Sequence, residues 1–248
     1  MNYISAFFIL LILSCQSPES SLTPEEIVDK AITYSGKSKL NTNELEFAFR
    51  DYNYKATPTC EGMRLERMSK DEPIKDVLFD GELKRYYKDS LVKLADTTTF
   101  NYFESVNSVH YFTQLPVRLK DDAVQLSDLG KEVIKDQTYH KLEVKFSKNG
   151  GGVDFEDIYI YWIDAEDYSL DYLAYSFLVN GGGLRFRKAM NRRTIDGVVF
   201  QDYENYKPKV KSKKLNEIGK MYENEELELL SLIENKAIKL TSITLDCN

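Results

Sequence analysis

Apolar and polar residues alternate with a period of two along most of this chain. In the stretch ELEFAFRDYNY (44–54), Leu45, Phe47 and Phe49 share one face, with Glu44, Glu46 and Arg50 opposite. That is the pattern of a half-buried strand. MRLERM, IKDVLFDG, ELKRYYK and LVKL follow as short strands, with Asp80-Gly81 as a two-residue hairpin turn between two of them. Residues 121–130 read as a loop. From Lys131 onward KEVIK, YHKLEVKFS, DIYIYWID, SLDYLAYSFLVN, LRFRKAM and GVVFQDYENY form a run of hairpins. KPKVKSKK then reads as a solvated basic linker, followed by a short helix over 215–222 and closing strands through Leu229 and over 238–245.

Two segments switch to the helical period. Thr23 caps a helix in which Pro24 suits the first turn and Glu26 completes a capping box. Ile27, Ala31, Ile32 and Tyr34 form its apolar stripe, and Gly36 stops it. A second helix is predicted over Thr97–Leu115, where Phe100, Phe103, Val106, Val109, Phe112 and Leu115 recur on one side and Pro116 ends the run. Consecutive strands, tight turns and bracketing helices specify a mainly β (α+β) fold: an antiparallel sheet with helices set against it. In LDYLAYSFLV, Leu173, Tyr175, Phe177 and Val179 face one way and Tyr172, Ala174, Ser176 and Leu178 the other. Both faces are largely apolar, so this strand must be covered on both sides.

Six of the twelve glycines sit in two triplets, Gly150–Gly152 and Gly181–Gly183, each between two strands. Glycine tolerates sharp bends, so the triplets predict a strongly curved sheet. Neither has the spacing or the following helix of a phosphate loop.

The leader MNYISAFFILLILSC carries an apolar run too short to span a bilayer, which needs about 20 residues. It suits the core of a secretory signal. Ile12-Leu13-Ser14-Cys15 resembles the lipobox of bacterial lipoproteins, in which the cysteine is acylated and becomes the first residue. The expected organisation is a signal peptide over 1–14, a lipid-anchored tether over 15–22 and a single domain over 23–248. A net charge of −7 argues against non-specific nucleic-acid binding. Seventeen tyrosines suit an aromatic-rich sheet. Of the three cysteines, lipidation leaves Cys60 and Cys247, which are either one disulfide or two free thiols.

YHKLEVKFSKNGGG, DIYIYWID, LDYLAYSFLVNGGGLRFRKAMNRR and GVVFQDYENYKP together resemble an uncharacterised family of bacterial lipoproteins, as do PEEIVDKAI and VNSVHYFTQLPVRL. That family resembles the LolA/LolB type of periplasmic lipoprotein carriers and receptors. The resemblance implies a curved antiparallel sheet forming an incomplete barrel, with helices packed on or in its concave side. It also implies an exported protein, at the outer membrane on its periplasmic or surface side. It carries no catalytic residues.

Candidate chemistry is sparse. His140 shares a face with Leu142, Val144 and Phe146, as a cavity-wall histidine or as a base. With Phe100, Phe103, Phe112, Tyr175 and Phe177, these four are the expected cavity lining. His110, on the helical insertion, reads as a core histidine. Arg185 and Arg187 share a face and form a possible anion clamp, unless cross-strand acids such as Glu143 or Asp202 pair with them. Asp154, Glu156 and Asp157, and then Asp164, Glu166 and Asp167, are solvated hairpin tips or calcium ligands, without the EF-hand pattern. No zinc-ligand spacing occurs, and neither metal nor cofactor is expected. The leading expectation is a monomeric, membrane-anchored lipoprotein whose half-barrel cavity holds a lipid, acyl chain or other amphiphile. The alternative is a periplasmic hydrolase using a cavity histidine and an acidic partner.

Overall fold

The computed structural model of the chain describes residues 22–147, 157–178 and 181–247. The leader, Cys15, the tether up to residue 21, the glycines at 150–152, Asp154, Glu156 and Val179 lie outside the described residues.

Helix α1 (Pro24–Ser35) starts and stops where its sequence dictates. Thr23 Oγ1 accepts from the Glu26 amide, the Glu26 carboxylate accepts from the Thr23 amide, and Gly36 closes the helix at φ 63°. A Cβ on Gly36 would stand 2.3 Å from the Gly197 carbonyl oxygen, so glycine is required there by contact as well as by φ. Ile27, Val28 and Ala31 are buried.

Six strands follow: β1 (Asn43–Phe49), β2 (Tyr52–Thr59), β3 (Gly62–Ser69), β4 (Ile74–Phe79), β5 (Glu82–Tyr87) and β6 (Ser90–Val92). Helix α2 (Asp96–Gln114) comes next. It is followed by β7 (Val124–Ile134), β8 (Gln137–Phe146), β9 (Tyr159–Asp164), β10 (Leu170–Phe177), β11 (Gly183–Ile195), β12 (Val198–Pro208), helix α3 (Ile218–Glu223), β13 (Leu227–Ile233) and β14 (Lys236–Ser242). These strands make two seven-stranded antiparallel sheets, in the orders β14-β1-β2-β3-β4-β5-β6 and β13-β12-β11-β10-β9-β8-β7. The second is a meander throughout, the first is a meander from β1 to β6 with β14 added beside β1, and the chain passes from one sheet to the other twice. Helix α2 links the far edges β6 and β7, while Glu234 and Asn235 alone link the near edges β13 and β14. The sheets are not closed into a barrel, and the curved incomplete barrel is therefore built from two sheets hinged at the β13–β14 corner.

That corner is pinned by hydrogen bonds. Asp202 Oδ1 accepts from the Asn235 amide at 3.0 Å and from Arg193 at 3.1 Å, and Arg193 also donates to the Asn235 carbonyl. Arg193 follows a bulge in β11 between Met190 and Arg193, the kind of irregularity that bends a strand sharply.

Apolar clusters fill three places. One lies on the concave side of the second sheet, where α1 and the end of α2 cover Leu142, Val144, Tyr161 and Leu173. Another lies on the first sheet, with Phe47, Tyr54 and Leu65 under Val106 of α2. The last is on the opposite face of the second sheet, where Ile218 and Leu215 cover Trp162, Tyr172, Ala174 and Phe186. Strand β10 is thus covered on both sides, with Leu173 in one cluster and Tyr172 and Ala174 in another.

Two readings are corrected. The stretch 44–54 is a hairpin rather than one strand, because Arg50 takes φ 51° and turns the chain between β1 and β2. Residues 124–130 belong to β7 rather than to a loop. Val124 and Leu126 alternate with Gln125 and Ser127, but residues 127–130 are solvent-exposed and include Ser127, Asp128 and Gly130, all turn formers, so the strand pattern breaks off there. Cys60, in the β2–β3 turn, is bridged to Cys247 with a Cα–Cα distance of 5.5 Å, which ties the end of the chain two strands inward from the β14 edge.

Candidate functional site

Helix α2 crosses from one sheet to the other, and its sequence explains how. On the first sheet, Arg67 on β3 donates through Nε (3.0 Å) and Nη2 (2.6 Å) to Asp76 Oδ2, while Nη1 donates to Ser105 of α2 at 2.6 Å. Arg85 completes the group, bonding both oxygens of the fully buried Asp76 and lying 3.5 Å over the Tyr102 ring. His110 Nε2 lies 3.0 Å from the Glu66 carbonyl oxygen, and its ring meets Phe47 and Tyr54 edge-on. Toward the helix's C-terminal end, Tyr111 meets Tyr161 hydroxyl to hydroxyl at 2.9 Å, and Phe112 packs on Tyr159 and Tyr175. Lys37 Nζ, wholly buried, donates to the Thr113 carbonyl and sits 4.6 Å above Phe200.

Between these anchors the two sheets leave a cleft of about 320 Å³. Phe49, Tyr52, Tyr54 and Arg67 contribute from the first sheet; Ser105, Ser108, Val109, Phe112 and Thr113 from α2; and Arg187, Tyr203, Asn205 and Ile233 from the second sheet. Arg50 and Asn235 come from the turns. Among the described lining residues three are arginines and none is acidic, in a chain whose net charge is −7. Arg67 is already paired with Asp76. Arg187 is not paired with an acid: among the described residues no carboxylate meets it. Arg187 is 8% exposed, its guanidinium lies 3.8 Å over Phe112, Nη2 donates to the Tyr175 hydroxyl at 3.1 Å, and Nε is buried without a partner. Asn205, opposite Arg187 in the β11–β12 register, donates to Ser231 at 3.1 Å and leaves Oδ1 unpartnered.

Burial sets the protonation states around the cleft. It holds His110 down to about 4, with the charges of Arg118 and Arg67 acting in the same direction, so the imidazole is neutral at pH 7. It lowers Lys37 to about 7, helped by Arg193. It pushes the hydroxyls of Tyr111, Tyr161 and Tyr203 upward, so these rings stay uncharged.

The expected site residues are distributed unevenly. Phe112 lines the cleft, and Tyr175 supports it through Phe112 and Arg187. Leu142, Val144 and Phe146 are core under α1 and α2 instead. Phe100 and Phe103 line a second groove with Leu83 and Thr99, more open than the cleft and larger at about 570 Å³, because α2 turns its N-terminal half toward the first sheet only. Phe177 lies under Arg185 near the outer end of β10. His140 is also outside the cleft. It sits half-buried beside Tyr168, with rings stacked 6.0 Å apart, and burial followed by the Lys131 charge lowers its pKa. Arg185 does not join Arg187: it donates to the Leu184 carbonyl, and neither arginine pairs with Glu143 or Asp202. Of the two arginines expected to share a site, Arg187 alone lines the cleft. Asp164 Oδ1 accepts from the Glu166 and Asp167 amides, an ordinary turn cap rather than a ligand set.

The residues that sequence reasoning passed over are Arg67, Asn205 and Asn235. Arg67 had a readable signal, since it follows Leu65 on the inward face of β3, where a charge is out of place.

A model of a family described as "Family of unknown function (DUF6503)" matches residues 3–235. The chain belongs to that family. No curated protein sequence matches it. A LolA superfamily protein from Nitrosomonas europaea is 12% identical, with a TM-score of 0.52 over 90% of this chain and 96% of that one. A DUF1329 family protein from Desulfovibrio piger is 10% identical, with a TM-score of 0.50 over 87% and 92% of the two chains. At these identities the likeness is one of fold: this DUF6503 chain has the LolA-type incomplete barrel.

Proposed function

We propose that this protein is a membrane-anchored lipoprotein that holds one small amphiphile in the cleft between its two sheets. The observation that carries this is the cleft itself: aromatic walls, a few convergent polar groups and a volume at the small end of the range for ligand sites. That volume suits a single medium-length acyl chain rather than a whole diacyl lipid. The fold shared with a LolA superfamily protein and the lipobox-like leader support an exported, lipid-anchored carrier or receptor. The hydrolase alternative loses its base, because His140 lies away from the cleft and His110 faces the first sheet.

The test is binding of a fluorescent medium-chain acyl probe to the wild-type chain and to Ser108→Trp, which fills the cleft from α2. Saturable one-to-one binding, weakened at least tenfold in Ser108→Trp at unchanged Tm, is expected. Equal binding by both proteins would move the site elsewhere.

A further inference from the structure

We propose that the cleft is an anion site, with Arg187 bonding the carboxylate head of the amphiphile. This rests on the amphiphile reading above and adds the chemistry of the head group. Arg187 sits in a row that faces the concave side, between Leu173 on β10 and Asn205 on β12. It is more than nine-tenths buried, yet among the described residues no acid neutralises it. A buried guanidinium without a counter-charge is costly, and the remedy is a paired anion. The Phe112 ring covers one face of the guanidinium and the Tyr175 hydroxyl takes one edge, leaving Nε buried and unsatisfied. A planar carboxylate matches such a free edge with two parallel hydrogen bonds.

Asn205 adds a second donor. Its amide now gives Nδ2 to Ser231 Oγ and leaves Oδ1 bare. A serine hydroxyl donates as well as accepts, so turning the amide over satisfies Oδ1 at Ser231 and presents Nδ2 to an anion. The wider field agrees: Arg50 lines the same cleft, and no lining residue is acidic, so positive potential is focused there despite the chain's net negative charge. Phe49, Tyr52 and Val109 offer the apolar surface for the chain behind the head.

The experiment is calorimetric titration of the purified full chain with decanoate, decanol, acetate and inorganic phosphate. Decanoate is expected to bind at least tenfold more tightly than decanol, and acetate and phosphate weakly. Arg187→Gln should reduce that preference by roughly 10- to 100-fold, the scale of hydrogen bonds to a charged group, and Arg187→Lys should restore part of it. Because Arg187 is buried, a second variant guards against misfolding. Asn205→Asp places a carboxylate opposite Arg187, and should keep or raise Tm while abolishing the preference for decanoate. Decanoate and decanol binding equally in the wild type would overturn the anion site and leave the amphiphile reading standing. Acetate or phosphate binding as tightly as decanoate would show a site for free anions and overturn the head-group assignment. Binding of none of the four would overturn both readings.

Discussion

His110 and Asp76 show how single residues hold the cleft in place. His110 is neutral in the folded protein down to about pH 4, whereas an unfolded histidine takes up its proton near 6.5. Between those values the unfolded chain binds the extra proton, so stability falls as pH falls through that window and is fully present above it. The difference corresponds to about 3 kcal/mol. Replacing His110 with Gln keeps an N–H for the Glu66 carbonyl and should flatten the stability profile between pH 6.5 and 4, read by urea denaturation at each pH. Asp76 is fully buried between Arg67 and Arg85. Asp76→Asn strands both charges and should cost about 3–5 kcal/mol, seen as a drop in Tm of roughly 6–20 °C. Arg187 belongs at this scale as well. Alternation placed it on the same face as Arg185, but alternation carries no depth: one arginine faces the cleft and the other lies near the strand's end.

At the scale of elements, local chemistry was readable where it acts over a few residues. The Thr23–Glu26 capping box and Gly36 bound α1 as expected, and Pro116 follows α2 closely. Elements were misjudged where solvent or a turn erased the period. The β1–β2 hairpin turns on Arg50, which takes positive φ without a glycine to announce it, and exposed residues of β7 hide its strand character. The direction of α2 was out of reach for a different reason. Its aromatic stripe fits one buried face, yet Phe103 packs on the first sheet and Phe112 against the second, a division set by contacts far apart in sequence. The Cys60–Cys247 bridge spans 187 residues. Loop entropy alone allows up to about 5 kcal/mol for such a crosslink. Cys247→Ser should therefore lower Tm under oxidising conditions and have no effect in reductant, and an identical Tm in oxidised wild type and variant would contradict that contribution. At the other end, Cys15→Ser should abolish labelling by an alkynyl fatty acid; label retained would remove the lipid anchor from the account.

The whole molecule divides its labour between packing and binding. Strands β9 and β10 of the second sheet, covered on both faces, are solid core, while the first sheet, β11 and β12 and the β13–β14 corner leave space under α2 that protein side chains do not fill. The fold class was readable because strand periodicity dominates the chain. The cleft was not, because it exists only where two separate sheets face each other. Its key residues come from β3, α2, β11 and β12, a span of more than a hundred residues from Arg67 to Asn205. The most direct test of the central claim is native mass spectrometry of the full chain gently extracted from its own membranes. The account predicts a one-to-one adduct that solvent extraction releases as a small single-chain amphiphile, absent when Ser108 is replaced by Trp. An unadorned chain mass in the wild type, or an adduct that survives in Ser108→Trp, would contradict it.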